Sequence, residues 1–295
     1  MRLANEQAAT ALCVLNKCCD ALEPDGAWRW RCAIQNGARL PISASLQEDF
    51  LHLECRPEAG RKDACTTEQA LLGNRTLTGG VKLALNGAGR GLRLVTDILI
   101  LEEKQLMNRL QLAIDGFHLA QRLLKWPASH LNFQAAQPVP PPIDLGSMLR
   151  ELSWPSAERG PNEFSAELDA NSAPPAAIRG TKSGVRLSVE LVRSNAPAEV
   201  TRRALAVFLL TATSALRMAR AYAEEQQGGL ACGIEVDLPA TPVAEEIGHA
   251  LAALSVAHGM CARETTVLLN QAVAQCYLAA RDLSTPNENQ SEQEN

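Results

Sequence analysis

Two segments of this chain nearly repeat one another: residues 91–99 read GLRLVTDIL and residues 184–192 read GVRLSVELV. Gly, Arg and Leu coincide at the first, third and fourth positions. Leu92/Val185, Asp97/Glu190, Ile98/Leu191 and Leu99/Val192 keep their chemistry. Each copy closes a strand-rich stretch and runs into an apolar-periodic segment that reads as a long helix. A duplicated strand–helix unit predicts two related half-domains packed as a pseudo-dimer. It also predicts that these two strands, and the helices they lead into, occupy equivalent places in the two halves.

The chain is long enough for such an arrangement. Its 295 residues are 46% hydrophobic and 21% charged, so a sizeable core can be buried. Only 4% are aromatic, so that core must be mostly Leu, Val, Ile and Ala. A net charge of −5 supplies no basic field for nucleic acid, which excludes it as the expected partner. No segment approaches the roughly 20 apolar residues of a membrane span. Asn5, Glu6 and Gln7 stand where a signal peptide would be apolar, so the expected location is cytoplasmic. The nine cysteines are irregularly spaced and read as small core residues in a reducing compartment, not as a disulfide framework.

Periodicity predicts a helix over 3–22, stopped by Pro24-Asp25-Gly26. Residues 27–34 alternate, which places Trp28, Trp30 and Cys32 on one strand face and Arg29 and Arg31 on the other. Asn36-Gly37 reads as a turn. Strands follow at 39–46 and from Phe50, then a short helix at 66–72. Two more strands, at 81–85 and 91–101, lead into a helix over 102–125. Residues 127–143, with Pro138, Pro140, Pro141 and Pro142, read as a linker. The expected organisation is a first half at 1–126, a second, more helical half at 144–284, and a disordered tail at 285–295. The second half reads as a short helix at 144–153, a strand at Phe164, Ala166 and Leu168, and the repeated strand. A long helix at 197–225, a strand at 231–238 and helical sequence at 243–282 with a bend at Gly259 complete it. The fold class is α+β, each half an antiparallel sheet with flanking helices.

Chemical motifs are sparse. Gly87, Gly89 and Gly91 lie between two expected strands and read as a hairpin turn, because a phosphate loop needs a helix N-terminus after its glycines. His249, His258 and Cys261, like Cys13, Cys18 and Cys19, lack the spacing of a metal site, so no metal and no cofactor is expected. There is no GxSxG and no HExxH. Asp97 and Glu190 hold matching positions in the repeat, as do Arg93 and Arg186. They offer a paired-carboxylate site between the halves, against the simpler reading of charge pairs on a solvated strand face.

Residues 3–125 run helix, three strands, short helix, two strands and long helix. The carriers of this pattern are Leu12 and Leu15 on the opening helix, strands 27–34, 39–46 and 50–55, and GLRLVTDIL leading into Leu106–Leu124. In this order the chain resembles the type III secretion chaperones. The resemblance implies a homodimer-like binder that holds an extended, unfolded segment of another protein along apolar patches. Internal duplication would supply both halves of such a dimer. The expectation is therefore a non-enzymatic protein-binding module, either a monomeric pseudo-dimer or a homo-oligomer. Its partner would be another protein or an extended peptide segment, with Trp28, Trp30 and Phe50 as anchors and Arg29 and Arg31 beside them. The alternatives are an enzyme with a site between the halves, or a structural component using the apolar helices at 197–225 and 243–282 as oligomer surfaces.

Overall fold

The computed structural model describes residues 2–19, 21–26, 28–35, 39–55, 66–87, 91–125, 144–168, 173–181, 184–226 and 229–283. The linker at 127–143, the tail at 285–295, the Asn36-Gly37 turn, Cys65 and Gly89 lie outside them.

The first half opens with α1 (Arg2–Cys18), whose Ala8, Ala11, Val14 and Leu15 form one buried stripe. Four strands follow: β1 (Ala21–Pro24), β2 (Arg29–Gln35), β3 (Arg39–Gln47) and β4 (Phe50–Cys55). Next come α2 (Thr67–Asn74), β5 (Lys82–Leu85), β6 (Leu92–Leu99) and α3 (Glu103–Lys125). A capping box starts α2: Thr66 Oγ1 accepts from Gln69 N, and Gln69 Oε1 accepts from Thr66 N. The strands form one antiparallel sheet in the order β1-β2-β3-β4-β6-β5. Its register sorts the side chains by face. Trp30, Cys32, Ile42, Ala44, Leu51, Leu53 and Leu94 enter the core that α1 and α3 complete. Arg29, Arg31, Ser43, Ser45, His52, Glu54, Arg93 and Asp97 share the opposite face.

The second half contains α4 (Leu145–Glu151), β7 (Ser156–Gly160), β8 (Glu163–Ala166), β9 (Ala176–Thr181) and β10 (Gly184–Asn195). These are followed by α5 (Glu199–Thr213), β11 (Arg220–Gln226), β12 (Gly229–Pro239), α6 (Ala244–Val267) and α7 (Gln271–Ala279). Its sheet order is β7-β8-β9-β10-β12-β11, so position by position it matches the first sheet. The chain is thus α+β with two similar halves, each built on a six-stranded antiparallel sheet.

The matching topology corrects the reading of the repeat. GLRLVTDIL is β6, whose counterpart is β12; GVRLSVELV is β10, whose counterpart is β4. The helices they lead into differ as well, because β6 precedes α3 and β10 precedes α5. Both segments are interior strands with one apolar and one polar face, and each begins at a glycine with positive φ. Similar demands of position explain similar residues at places that do not correspond. Gly184 is required there, because a Cβ would collide with the Leu238 carbonyl.

Other boundaries moved. The long helix expected at 197–225 ends at Thr213, and 220–226 is β11. Arg220, Tyr222 and Glu224 alternate there with Ala221 and Ala223, a period-two pattern hidden by the high apolar content around it. The short edge strands β1 and β7, and β9, were not expected either. Gly259 lies inside α6, and the helical stretch breaks instead at residues 268–270. Strand β2 starts at Arg29, and Trp28 sits before it in a left-handed turn at φ 59°, not on the face of Trp30.

Candidate functional site

The polar residues that are most deeply buried gather where the halves meet. Helix α2 packs on α5, α5 packs on β5, and α2 packs on β11. These contacts are reciprocal, since α2 corresponds to α5 and β5 to β11. Asn74, fully buried at the end of α2, joins them. Its amide donates to Leu83 O at 3.0 Å and to Ala221 O at 2.9 Å, two carbonyls at matching positions of β5 and β11. Its Oδ1 accepts from Leu83 N at 2.6 Å.

The edge strands β5 and β11 each begin with a buried cation that crosses to the other half. Lys82 heads β5 and donates to Leu216 O and Ala219 O, on the connector before β11. Arg220 heads β11 and donates to Val81 O at 2.7 Å, on the connector before β5. Their carboxylate partners differ. Lys82 Nζ lies 2.7 Å from Asp97 Oδ2, and Asp97 also accepts from Met218 N at 3.2 Å. His52 stands opposite Asp97 in the ladder, with Nδ1 at 2.7 Å from Oδ1. An ionised carboxylate only accepts, so that nitrogen carries the proton. Burial alone would raise the Asp97 pKa, but Lys82 and His52 outweigh it and hold this carboxyl well below the usual range.

In the second half Arg220 pairs with Glu235, Nε to Oε1 at 2.9 Å, with both side chains out of solvent. Glu235 occupies the place that Val95 holds in the first half, and Asp237 the place of Asp97. Arg186 replaces His52. Its terminal nitrogen is 3.4 Å from Asp237 Oδ1, and its Nε is 3.6 Å from Glu235 Oε2. Burial raises the Asp237 pKa; Arg220 and Arg186 oppose this without reversing it, and Glu235 adds to it. Arg75, from the connector after α2, stacks over the Tyr222 ring at 4.5 Å and pairs with Glu224. Burial pushes the Tyr222 phenol up to about 12. Farther along the junction, Arg109 of α3 makes two 2.8 Å bonds to the Glu246 carboxylate at the start of α6. Phe50 meets His249 edge-on at 5.8 Å.

A cleft of about 50 Å³ opens between the ends of β6 and β12, lined by Thr96, Asp97, Arg109, Met218, Asp237 and Glu246. It is large enough for a few water molecules and too small for an organic substrate.

The paired-carboxylate arrangement expected from the repeat is not formed. Asp97 is buried with Lys82 and His52, and Arg186 faces Asp237 and Glu235. Arg93 reaches Glu54 at 3.1 Å, and Glu190 pairs with Arg193 on the surface. The proposed anchors also separate. Trp30 and Phe50 are buried, each 8% exposed, so they offer a partner little surface. Trp28 is 45% exposed, Arg29 is exposed, and Arg31 is exposed in a pair with Asp25. Sequence reasoning missed Lys82, Arg220, Glu235, Asp237 and Asn74. The signal for Lys82 was a lone cation at the start of an otherwise apolar strand, and for Arg220 a cation that heads the alternation Arg220, Tyr222, Glu224 against Ala221 and Ala223. Among the described residues no cluster of His, Cys, Asp or Glu is arranged to hold a metal, and no helix is long and apolar enough to cross a membrane. No family model, no curated protein and no solved structure matches this chain.

Proposed function

We propose that this chain is a polypeptide-binding module, an internally paired relative in form of the type III secretion chaperones, which holds an extended segment of another protein. The observation that carries this reading is the doubled element order: helix, strands, helix, two strands, helix, on a six-stranded sheet in each half. The reciprocal contacts of α2, α5, β5 and β11 support internal pairing, in which residue i meets j and the counterpart of i meets the counterpart of j. The charges at the junction are paired with one another, which fits a role in joining the halves, although Arg186 Nε and Glu235 Oε2 are buried without a hydrogen bond. Apolar side chains that a partner can reach lie elsewhere. Trp28 stands before β2, and Val256, Met260 and Val267 lie on the outer face of α6.

The purified chain is to be tested on an array of overlapping unstructured peptides, with calorimetry on the hits. The reading expects one peptide per chain and weaker binding in a Trp28→Glu or Val256→Glu/Met260→Glu variant. Light scattering should return the mass of a single chain. Absence of peptide binding at millimolar concentration, or an obligate dimer, would overturn it.

A further inference from the structure

Three strands of the first sheet carry a row of chemically active side chains on their polar face. In the ladder Ser45 of β3 stands directly opposite His52 of β4, and His52 directly opposite Asp97 of β6. Arg29 of β2 closes the row at its outer end, opposite Ser45. Burial deepens along it. Arg29 is exposed, Ser45 is half-buried, the His52 side chain is 17% exposed and that of Asp97 2%. Direct cross-strand neighbours on one face have Cβ atoms about 4.5–5.5 Å apart. An imidazole spans such a gap to a hydroxyl, by itself or through one water.

The hydrogen bonds around the row have a fixed direction. Asp97, ionised against Lys82, accepts the His52 Nδ1–H at 2.7 Å, which leaves Nε2 on the far side of the ring as an acceptor. Arg217, on the connector before β11, can only donate, so its bond to Gln47 Oε1 fixes the Gln47 amide with Nε2 toward Ser45. Gln47 Nε2 donates to Ser45 Oγ at 2.9 Å, and the hydroxyl keeps its own proton to give. A hydroxyl with a proton to give therefore neighbours an imidazole nitrogen able to receive it.

We propose that Ser45, His52 and Asp97 form a hydrolytic site for small carboxylic esters, open to solvent on the side of Arg29. Ser45 Oγ attacks the carbonyl carbon while its proton passes to His52 Nε2. The carbonyl electron pair moves onto oxygen, where Gln47 Nε2, already beside Oγ, donates to it. The pair returns, the bond to the alcohol oxygen breaks, and His52 gives its proton to the departing alcohol. Water then attacks the acyl-Ser45 carbonyl, with His52 taking a proton from it. Collapse releases the carboxylic acid, and the proton on His52 restores the Ser45 hydroxyl. One ester and one water become one acid and one alcohol. Asp97 acts through His52 and is a positioning residue.

The test treats the folded, full-length chain with a fluorophosphonate and, separately, with p-nitrophenyl acetate. The expected adduct maps to Ser45 by tandem mass spectrometry. Ser43 is the internal control, two residues earlier on the same face but opposite Glu54. Ser43→Ala should keep both labelling and turnover. Ser45→Ala and His52→Gln should lose the adduct and lower turnover by about 100-fold or more, with Ser45→Ala unfolding at the same urea midpoint as the native chain. Asp97→Asn should lower kcat and leave KM unchanged. The proposal is overturned if no adduct forms, if the label falls equally on Ser43, or if turnover survives Ser45→Ala.

Discussion

The two halves share a strand order and solve the same burial problem with different charges. In the first, Lys82 meets one carboxylate, Asp97, and a histidine supports it. In the second, Arg220 and Arg186 meet two carboxylates, Glu235 and Asp237, and the second is crowded by the first. The helices differ in the same way. The 17-residue α1 packs along α3, which buries Ile114 and Phe117 completely or nearly so. The 7-residue α4 packs along α6, which buries Leu254 and Ala257 completely and leaves Ser255 and His258 half-buried. Topology is therefore a looser constraint than the local balance of charge and cover, and each half can be unsettled separately.

The sharpest break should come from Arg220→Ala. It leaves Glu235 buried without its closest cation, at a cost of about 3–5 kcal/mol, read from urea denaturation. Arg220→Met with Glu235→Leu should recover most of that loss, since an apolar pair leaves neither partner unpaired and Asp237 keeps Arg186. Lys82→Ala should cost less, about 2–3 kcal/mol, because Asp97 keeps His52 and the Met218 N–H.

The two helices offer a similar contrast. Phe117→Ala should cost about 3–5 kcal/mol, and His258→Ala, at a half-buried position of α6, about 0.5 kcal/mol or less. Thermal or urea unfolding reads both losses, and a loss at His258 equal to that at Phe117 would contradict its half-buried position.

The matching aspartates should bend the pH profile in opposite directions. Asp97 has a depressed pKa in the folded chain. Its contribution is present above the unfolded value of about 3.9 and is lost as pH falls through the folded value below it. Asp237 has a raised pKa. Its contribution is full below about 3.9 and is lost as pH rises through the folded value. Asp97→Asn should therefore destabilise at pH 7 and converge with the native chain in acid. Relative to the native chain, Asp237→Asn should fare better at pH 7 than at pH 3. Denaturation series across that range check both, and parallel profiles would refute the difference between the halves. The smallest effect belongs to Trp28→Ala, expected within about 0.5 kcal/mol of native, because this side chain lies outside the core.

Much of the secondary structure was legible before the fold was known. Long amphipathic helices announce themselves by spacing, as Leu106, Leu110 and Phe117 do in α3. Alternating strands do the same, as in β2 and β6. What escaped was either short or masked by composition. β1 and β7 are edge strands of 4 and 5 residues, and β11 is buried on both faces at its start, where alternation fades. The candidate site was barely legible. Asp97 and Arg186 stood out through the repeat, but their partners are distant in the chain, and no local pattern links Lys82 to Leu216 or Arg220 to Val81.

The amino-acid sequence by itself determined the class, an α+β chain with a large aliphatic core, because hydrophobic periodicity is a local property. Tertiary structure alone decided which segments correspond. GLRLVTDIL and GVRLSVELV look like copies because two interior strands face the same physical demands, yet they sit at different positions of their sheets. Only the pairing of strands, a matter of long-range hydrogen bonding, tells position from resemblance. It also decided where the charges go, since burying Lys82, Arg220, Asp97 and Glu235 is tolerable only when folding delivers their partners from elsewhere in the chain.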